Sequence, residues 1–238
     1  MKGKLCACLT DLFFPPRCSA CGELCKPFPG LDTDIPPALC DECLPRWQAA
    51  SSSRPTSSAM GDGGHMWLVP YRPQRADGVP ERVIFRIKHQ DDRRLIKWVT
   101  AELAQPVREI LTRMGVSPSE AVCLYPPRRR AAVRRDGFDQ ARSLAKGLAR
   151  QLGAVCLPAI RRCSDGAGAQ KELDAAARRL NAEAVYDMVE SYAPRIAGKW
   201  VLLVDDLATT GATLGRLAAL SRVAGAAGVL FVAVARTE

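Results

Sequence analysis

The stretch that most constrains the fold is residues 201–213, which read Val-Leu-Leu-Val-Asp-Asp-Leu-Ala-Thr-Thr-Gly-Ala-Thr. Its first four residues are apolar without interruption, a pattern typical of a strand buried on both faces of a sheet. Leu214, Leu217 and Ala218 then follow at helical spacing. The stretch therefore predicts a buried strand, a short loop and a helix, the unit from which parallel α/β sheets are built.

The loop between this strand and helix has the composition of an anion site. The first N–H groups of a helix have no partner, and the helix dipole favours negative charge there. Gly211 lets the backbone approach a ligand, and Thr209, Thr210 and Thr213 add hydroxyl donors. The loop suits a phosphate monoester, although it matches neither the Walker phosphate loop nor the dinucleotide-binding glycine pattern.

Asp205 and Asp206 need a separate explanation, because two carboxylates beside a phosphate would repel it. They make sense as acceptors for ribose hydroxyl groups, with a metal ion to offset their charge. Ribose 5-phosphate fits both halves of the motif. The alternative is an ordinary strand–turn–helix whose threonines cap the helix, but capping explains neither the acid pair nor the threonine pair.

The N-terminal region predicts a metal site. Cys18 and Cys21 form one C-x2-C knuckle, Cys40 and Cys43 form another, and eighteen residues separate the knuckles. Two such knuckles complete a tetrahedral site of four thiolates, which fits structural zinc and leaves no open position for catalysis. The alternatives are buried free thiols or the use of Cys25 as a ligand.

The same composition divides the chain. We expect a zinc-binding module at 1–47, a flexible linker rich in Ser and Gly at 48–65, and an α/β domain at 66–238. No apolar run approaches the length of a membrane span, and the N-terminal segment is too broken for a secretion signal. The chain is therefore predicted to be cytoplasmic, where its ten cysteines favour metal binding over disulfides.

The net charge of +9 favours polyanionic partners. Five arginines fall within residues 128–135, just after a predicted strand that ends at Tyr125. Guanidinium groups suit phosphate oxygens, and ligands of open α/β sheets bind beyond the carboxyl ends of the strands. We therefore predict contacts to pyrophosphate from Lys88, Arg128 and Arg135, with a solvated basic surface as the alternative.

Taken together, these features resemble the ComF family, which couples a four-cysteine zinc module to a type I phosphoribosyltransferase-like domain. The resemblance runs over nearly the whole chain and includes Ile-Lys88, Gly-Phe-x-Gln at 137–140, and Gln170-x-x-Leu173 with Arg178 and Asn181. It implies a parallel sheet flanked by helices. It also implies that residues 201–213 bind phosphoribosyl pyrophosphate (PRPP).

The resemblance assigns roles within this motif. Asp205 and Asp206 contact the ribose and are the catalytic candidates. The implied PRPP-binding set is Asp205, Asp206, Leu207, Ala208, Thr209, Thr210, Gly211, Ala212 and Thr213. The chain departs from the family at Asp136 and Asp139, which stand where the family typically has Arg and Asn. Two acids thus replace a cation and a neutral amide in a loop expected to face pyrophosphate, and Arg135 is the candidate to restore the charge.

Two functions follow from the resemblance. One is Mg²⁺-dependent transfer of phosphoribose from PRPP to an unknown acceptor, by a protein that binds PRPP or ribose 5-phosphate. The other is a non-catalytic protein of DNA uptake and competence that binds single-stranded DNA or competence proteins, with PRPP as a regulatory ligand. Single-strand binders usually stack bases on aromatic side chains. Only 6% of residues here are aromatic, and none lies between the arginines of 128–135, which favours the transferase.

Overall fold

The computed structural model of the chain describes residues 15–25, 35–52, 64–163, 185–209 and 211–238. Its helices are α1 Cys43–Ser52, α2 Val79–His89, α3 Arg93–Arg113, α4 Arg130–Asp136, α5 Gln140–Leu152, α6 Ala193–Ile196 and α7 Ala212–Val223. Its strands are β1 His65–Tyr71, β2 Val122–Leu124, β3 Val155–Cys156, β4 Ile160–Arg162, β5 Tyr186–Met188, β6 Trp200–Ala208 and β7 Gly228–Thr237. Short 3₁₀ turns lie at Pro118–Glu120 and Glu190–Tyr192.

Five strands form a parallel sheet in the order β1-β7-β6-β2-β3. The strand predicted at 201–204 is part of β6, which lies at its centre. Side chains alternate along a strand, so Val201 and Leu203 pack into the hydrophobic cluster on one face, and Leu202 and Val204 into that on the other. All four are fully buried. The predicted strand, buried on both faces of a parallel sheet, is confirmed.

Helices cover both faces, as predicted. Helices α2, α3 and α5 pack on the face of Leu202 and Val204, whereas α6 and α7 pack on the opposite face. An antiparallel ribbon of β4 and β5, which the sequence did not predict, joins this second face. Residues 164–184 lie outside the described residues, and so do the motif positions Gln170, Leu173, Arg178 and Asn181. Among the described residues, no helix has the length and hydrophobicity that a membrane span requires.

The cysteine module packs directly on the sheet domain. Trp47 of α1 is fully buried, and its ring lies 5.3 Å from that of Trp98 in α3. Arg94 donates to two backbone carbonyls of the module, and the Asp92 carboxylate accepts a hydrogen bond from the Ser19 hydroxyl. Side chains of the module and of α3 belong to one hydrophobic core.

The predicted linker at 48–65 differs from the structure at both ends. Helix α1 continues to Ser52, because Trp47 and Ser51 lie on its buried side. Strand β1 already begins at His65, whose ring lies 4.5 Å from that of Phe231 in β7. Residues 53–63, the middle of the predicted linker, lie outside the described residues.

Candidate functional site at the end of β6

The acid pair lies within β6 rather than after it. The strand continues to Ala208 because its ladder with β7 extends to the pair Ala208 and Arg236. Consecutive side chains leave a strand on opposite sides. Asp205 and Asp206 therefore have different surroundings, which the sequence pattern alone did not reveal.

Asp206 is almost fully buried, with 5% of its surface exposed. Its Oδ2 atom has no hydrogen-bond partner among the described residues, but the ammonium of Lys88 in α2 lies 3.7 Å away. A buried carboxylate is costly unless it is paired, so Lys88 stabilises the acid at this position. Lys88, predicted to contact pyrophosphate, is thus engaged with the acid pair.

Asp205 faces a cavity of about 290 Å³ at the carboxyl edge of the sheet. Its Oδ1 atom accepts a hydrogen bond of 2.9 Å from the backbone N–H of Asp206. Burial, followed by the charge of Asp206, raises the pKa of Asp205 well above its usual range. Asp205 can therefore accept a hydrogen bond from a hydroxyl group or bind a cation, and either contact would offset its unfavourable charge.

The loop after β6 leads into α7 through Gly211. Its φ of 73° lies in the left-handed region, which explains why glycine stands here. A Cβ atom at this position would meet open space, so backbone conformation rather than crowding requires the glycine. Thr213, in the first turn of α7, lines the same cavity as Asp205. Thr209 is exposed, and Thr210 lies outside the described residues.

The residues that line the cavity belong to elements that are far apart in sequence. Besides Asp205 and Thr213, the lining residues are Pro126, Pro127, Arg128, Arg129, Ala132, Gln140, Ala141, Arg162 and Tyr186. They come from the chain after β2, from α4 and α5, and from the β4–β5 ribbon. The Oε1 atom of Gln140 is buried without a hydrogen-bond partner among the described residues, so it can accept a hydrogen bond from a ligand.

Arg162 and Tyr186 are functional candidates that the sequence analysis missed. The guanidinium of Arg162 lies 5.2 Å from the centre of the Tyr186 ring, and its Nη1 donates a hydrogen bond of 2.9 Å to the phenol oxygen. This pair presents an aromatic face and a cation to the cavity. No local motif marks either residue, because they meet only when β4 and β5 pair.

Arg128, one of the predicted pyrophosphate contacts, does line the cavity. Its Nη2 atom lies 2.7 Å from the Asp136 carboxylate, and its guanidinium lies 5.7 Å from the centre of the Phe138 ring. Its backbone N–H donates to Asp139. These contacts with the 136–139 loop hold the side chain in place, and only 16% of it is exposed.

The two departures from the family pattern have structural roles. Asp139 caps α5 by accepting a hydrogen bond of 3.1 Å from the backbone N–H of Arg142, and Asn caps helices about as well. Asp136 pairs with Arg128 and Arg135. The Arg135 side chain is 71% exposed and does not line the cavity. Of the arginines in this run, Arg128 and Arg129 line the cavity in this structure, and a contact from Arg135 to pyrophosphate stays a prediction.

The four predicted zinc ligands come together as expected. The Sγ atoms of Cys18, Cys21, Cys40 and Cys43 lie within 4.8 Å of one another, and those of Cys21 and Cys40 are 3.7 Å apart. Tetrahedral Zn–S bonds of about 2.3 Å place sulfur atoms about 3.8 Å apart. The cluster can therefore hold a metal ion such as zinc.

The surroundings shift the pKa values of the cluster thiols in opposite directions. Burial raises the pKa of Cys21 and that of Cys43. Burial raises the pKa of Cys18, but hydrogen bonds from backbone N–H groups more than offset burial and leave the pKa lowered to about 7. Metal ligation requires the deprotonated form. Cys25, the alternative ligand, is not part of the cluster; its sulfur instead accepts a hydrogen bond of 3.5 Å from Arg94.

No protein-family model and no curated protein matches the chain. Among solved structures, the allosteric regulatory enzyme of purine biosynthesis matches 63% of the chain at 16% identity and a TM-score of 0.38. Glutamine PRPP amidotransferase from B. subtilis, complexed with ADP and GMP, matches 63% at 18% identity and a TM-score of 0.38.

A third solved structure is a glutamic acid mutant from an analysis of an invariant aspartic acid in HPRTs. It matches 59% of this chain and 67% of its own length, at 15% identity and a TM-score of 0.32. The chain spans only 30% of the length of each of the first two structures. Likenesses this slight give no evidence of function.

Proposed function

We propose that this chain binds PRPP at the carboxyl edge of β6 and transfers its phosphoribosyl group to an acceptor. The observation that carries the proposal is that one cavity brings together Asp205, Thr213 and Arg128. A carboxylate, a hydroxyl at a helix N-terminus and a guanidinium suit, in that order, a ribose, its 5′-phosphate and its pyrophosphate.

The 5′-phosphate is proposed to sit at the start of α7. The first N–H groups of this helix have no partner within the helix, and the dipole of its twelve residues favours an anion. Hydroxyl groups of Thr209, Thr210 and Thr213 would add donors. The proposed PRPP-binding segment thus runs from 205 to 213, as the sequence predicts.

Asp205 is proposed to accept hydrogen bonds from the ribose hydroxyls within the cavity. Asp206, predicted to contact the ribose as well, lies buried beside Lys88 outside the lining of the cavity and would have to turn toward the ligand to do so. Mg²⁺ fits Asp205, because hard cations prefer carboxylate and phosphate oxygens. When bound, it would neutralise charge on the pyrophosphate. The buried position of Asp206 beside Lys88 leaves Asp205 as the carboxylate for that ion.

In the transfer, a lone pair of the acceptor forms the new bond to ribose C1 as the C1–O bond to pyrophosphate breaks. Pyrophosphate leaves with the electron pair, so negative charge grows on its oxygens while positive charge develops on the ribose. The fixed guanidinium of Arg128 would stabilise the leaving group, since preorganised charges need not reorient during the reaction. The Arg162–Tyr186 pair is the proposed contact for the acceptor.

The remaining assignments belong to the same proposal. Zinc would occupy the four-cysteine cluster in a module at 1–47, and the transferase domain would cover 66–238. Membership of the ComF family is supported by the two knuckles together with the motif at 201–213. A cytoplasmic location is favoured because it would keep the thiols reduced.

Isothermal titration calorimetry tests the proposal. PRPP, ribose 5-phosphate, pyrophosphate and a thymidine oligomer are titrated with and without Mg²⁺, and pyrophosphate release is then followed with a panel of acceptors. We expect PRPP to bind more tightly when Mg²⁺ is present. Binding of the oligomer without any Mg²⁺-dependent binding of PRPP would overturn the proposal in favour of the competence-type alternative.

A further inference from the structure

A second cavity, of about 610 Å³, lies between α3 and α5 and shares no lining residue with the β6 cavity. Ile96, Thr100, Ser143 and Gly147 contribute the less exposed part of its lining. The two helices approach closely at Gly147, where a Cβ atom would lie 2.8 Å from a methyl carbon of Thr100. Its volume is in the range of small-molecule sites.

The walls of this cavity, here called the α3/α5 groove, are strongly cationic. Its basic residues are Arg93 and Lys97 on α3, and Arg142, Lys146 and Arg150 on α5. The three cations of α5 recur every four residues, so they extend over about 12 Å along the helix axis. Like charges four residues apart destabilise a helix.

The described residues do little to offset this charge. Lys97, Arg142, Lys146 and Arg150 form no ion pair and no side-chain hydrogen bond with any described residue. The two acids that line the groove are already engaged. Asp91 pairs with Arg93 at 3.6 Å, and Asp139 accepts hydrogen bonds from the N–H groups of Arg128 and Arg142. The cationic walls therefore lack a counter-charge that an anionic ligand would supply.

We propose that the α3/α5 groove binds a short run of phosphate groups, such as the triphosphate of a nucleotide. Cations on two facing helices can contact such a chain from both sides, and guanidinium groups match phosphate oxygens in geometry. A bounded cavity suits a compact polyanion. A nucleic-acid strand or an acidic peptide would require a longer continuous track.

The α3/α5 groove also touches the loop that holds Arg128. Phe138 and Asp139 line the groove. The Phe138 ring lies against the Arg128 guanidinium, and the Asp139 carboxylate accepts a hydrogen bond from the backbone N–H of Arg128. A ligand that contacts Arg142 would therefore sit beside the residues that position a cation of the β6 cavity. Binding in the groove itself does not require the proposed transferase function.

Calorimetry with inorganic triphosphate tests the α3/α5 groove. Replacing Lys146 and Arg150 with Gln removes two cations at exposed helical positions, where Gln is well tolerated. Two lost surface ion pairs should weaken triphosphate binding by about 2- to 30-fold. The matched control replaces Arg46 and Arg113 with Gln. Both are exposed, lie outside the groove and lower the net charge equally.

The other variants distinguish the groove from the β6 cavity. Asp205→Asn should leave triphosphate binding unchanged, and Lys146→Gln with Arg150→Gln should leave ribose 5-phosphate binding unchanged. Equal weakening by the Arg46/Arg113 control would mean non-specific attraction. A change with Asp205→Asn would place triphosphate in the β6 cavity. If a thymidine oligomer displaced triphosphate at a lower total concentration of phosphate groups than triphosphate itself requires, the groove would be a nucleic-acid binding site. Each of these three results would overturn the proposal.

Discussion

The cysteine cluster and the end of β6 were both predicted from short sequence patterns, yet they are assembled differently. In the cluster, two C-x2-C segments supply all four sulfur atoms, and these atoms lie within 4.8 Å of one another. At β6, the neighbouring acids diverge. The cavity is completed by Gln140 of α5 and by Arg162 and Tyr186 of the β4–β5 ribbon.

The difference separates sites that are complete within a motif from sites that depend on packing. A C-x2-C knuckle fixes the distance between its two sulfurs through local turn geometry, so spacing alone predicts the geometry. A phosphate loop fixes only its own backbone, and the other side chains of the site are positioned by the packing of the sheet and helices. Mutations should therefore act mainly on folding at the cluster and mainly on ligand binding at β6.

The largest effect is expected for Cys40→Ser. Zinc binding by finger peptides contributes roughly 10–16 kcal/mol, so loss of one ligand should release the metal and unfold the module. Because Trp47 and Trp98 belong to one core, the melting temperature of the whole chain should fall as well. Elemental analysis and calorimetric melting measure both effects.

Cys163→Ser is the control for this experiment, because Cys163 is exposed and lies outside the cluster. It should keep both zinc and melting temperature. Wild-type protein purified without chelator that contains no zinc would contradict the assignment. Loss of zinc from Cys40→Ser with an unchanged melting temperature would contradict the shared core.

The next largest effect is expected for Asp205→Asn. A hydrogen bond to a charged group contributes roughly 1.5–3 kcal/mol, so PRPP should bind about 10- to 150-fold more weakly. Asp187→Asn is a matched control, since Asp187 pairs with Arg161 at the surface and does not line the cavity. Affinity for PRPP measured by calorimetry should be unchanged in the control, and an equal loss in both variants would exclude Asp205 as a ligand contact.

Asp205→Asn should also stabilise the free protein at neutral pH. The pKa of Asp205 is raised by burial and by Asp206. The favourable contribution of its protonated form is therefore complete below the ordinary Asp pKa of about 3.9, and is lost as the pH rises through the folded-state pKa. The stability gained by Asp205→Asn should therefore grow as the pH rises from about 3.9 through the folded-state pKa of Asp205. Melting curves of both proteins from pH 3 to pH 8 measure it, and a gain that is constant over this range would contradict the raised pKa.

These contrasts explain how much the sequence could predict. The apolar run 201–204 predicted the central strand, because a strand that is buried on both faces has apolar residues at every position. The Asp pair predicted a polar edge, but the ladder with β7 that extends β6 to Ala208 is a tertiary feature. Similarly, no pattern predicted the meeting of Arg162 and Tyr186. The linker prediction missed the end of α1 because the buried partner of Trp47 lies far along the chain.

A smaller effect is expected at Asp139, which caps α5. Asp139→Ala should lower the free energy of unfolding by about 1 kcal/mol, whereas Asp139→Asn should cost only a few tenths, because both side chains offer a capping oxygen. Urea denaturation measures the two variants against wild type. If Asn costs as much as Ala, the charge of Asp139 rather than its cap would be what the loop requires.

The smallest effect is expected for Asp136→Asn, which asks whether a second acid in this loop hinders the leaving group. The Asp136 carboxylate neutralises Arg128 at 2.7 Å, and its hydrogen bond with Arg135 holds its own pKa below the usual range. Asn keeps an acceptor for the guanidinium but removes the charge, so the cavity becomes more positive. Pyrophosphate should then bind about two- to fivefold more tightly, a modest change because the neighbouring Arg135 side chain is exposed and its charge is screened by solvent. Ribose 5-phosphate, which lacks the pyrophosphate, should bind as before, and Arg128→Gln in the same background should abolish the gain. A loss of pyrophosphate affinity in Asp136→Asn would instead mean that the carboxylate aids pyrophosphate binding by positioning Arg128 more than it opposes binding through its negative charge.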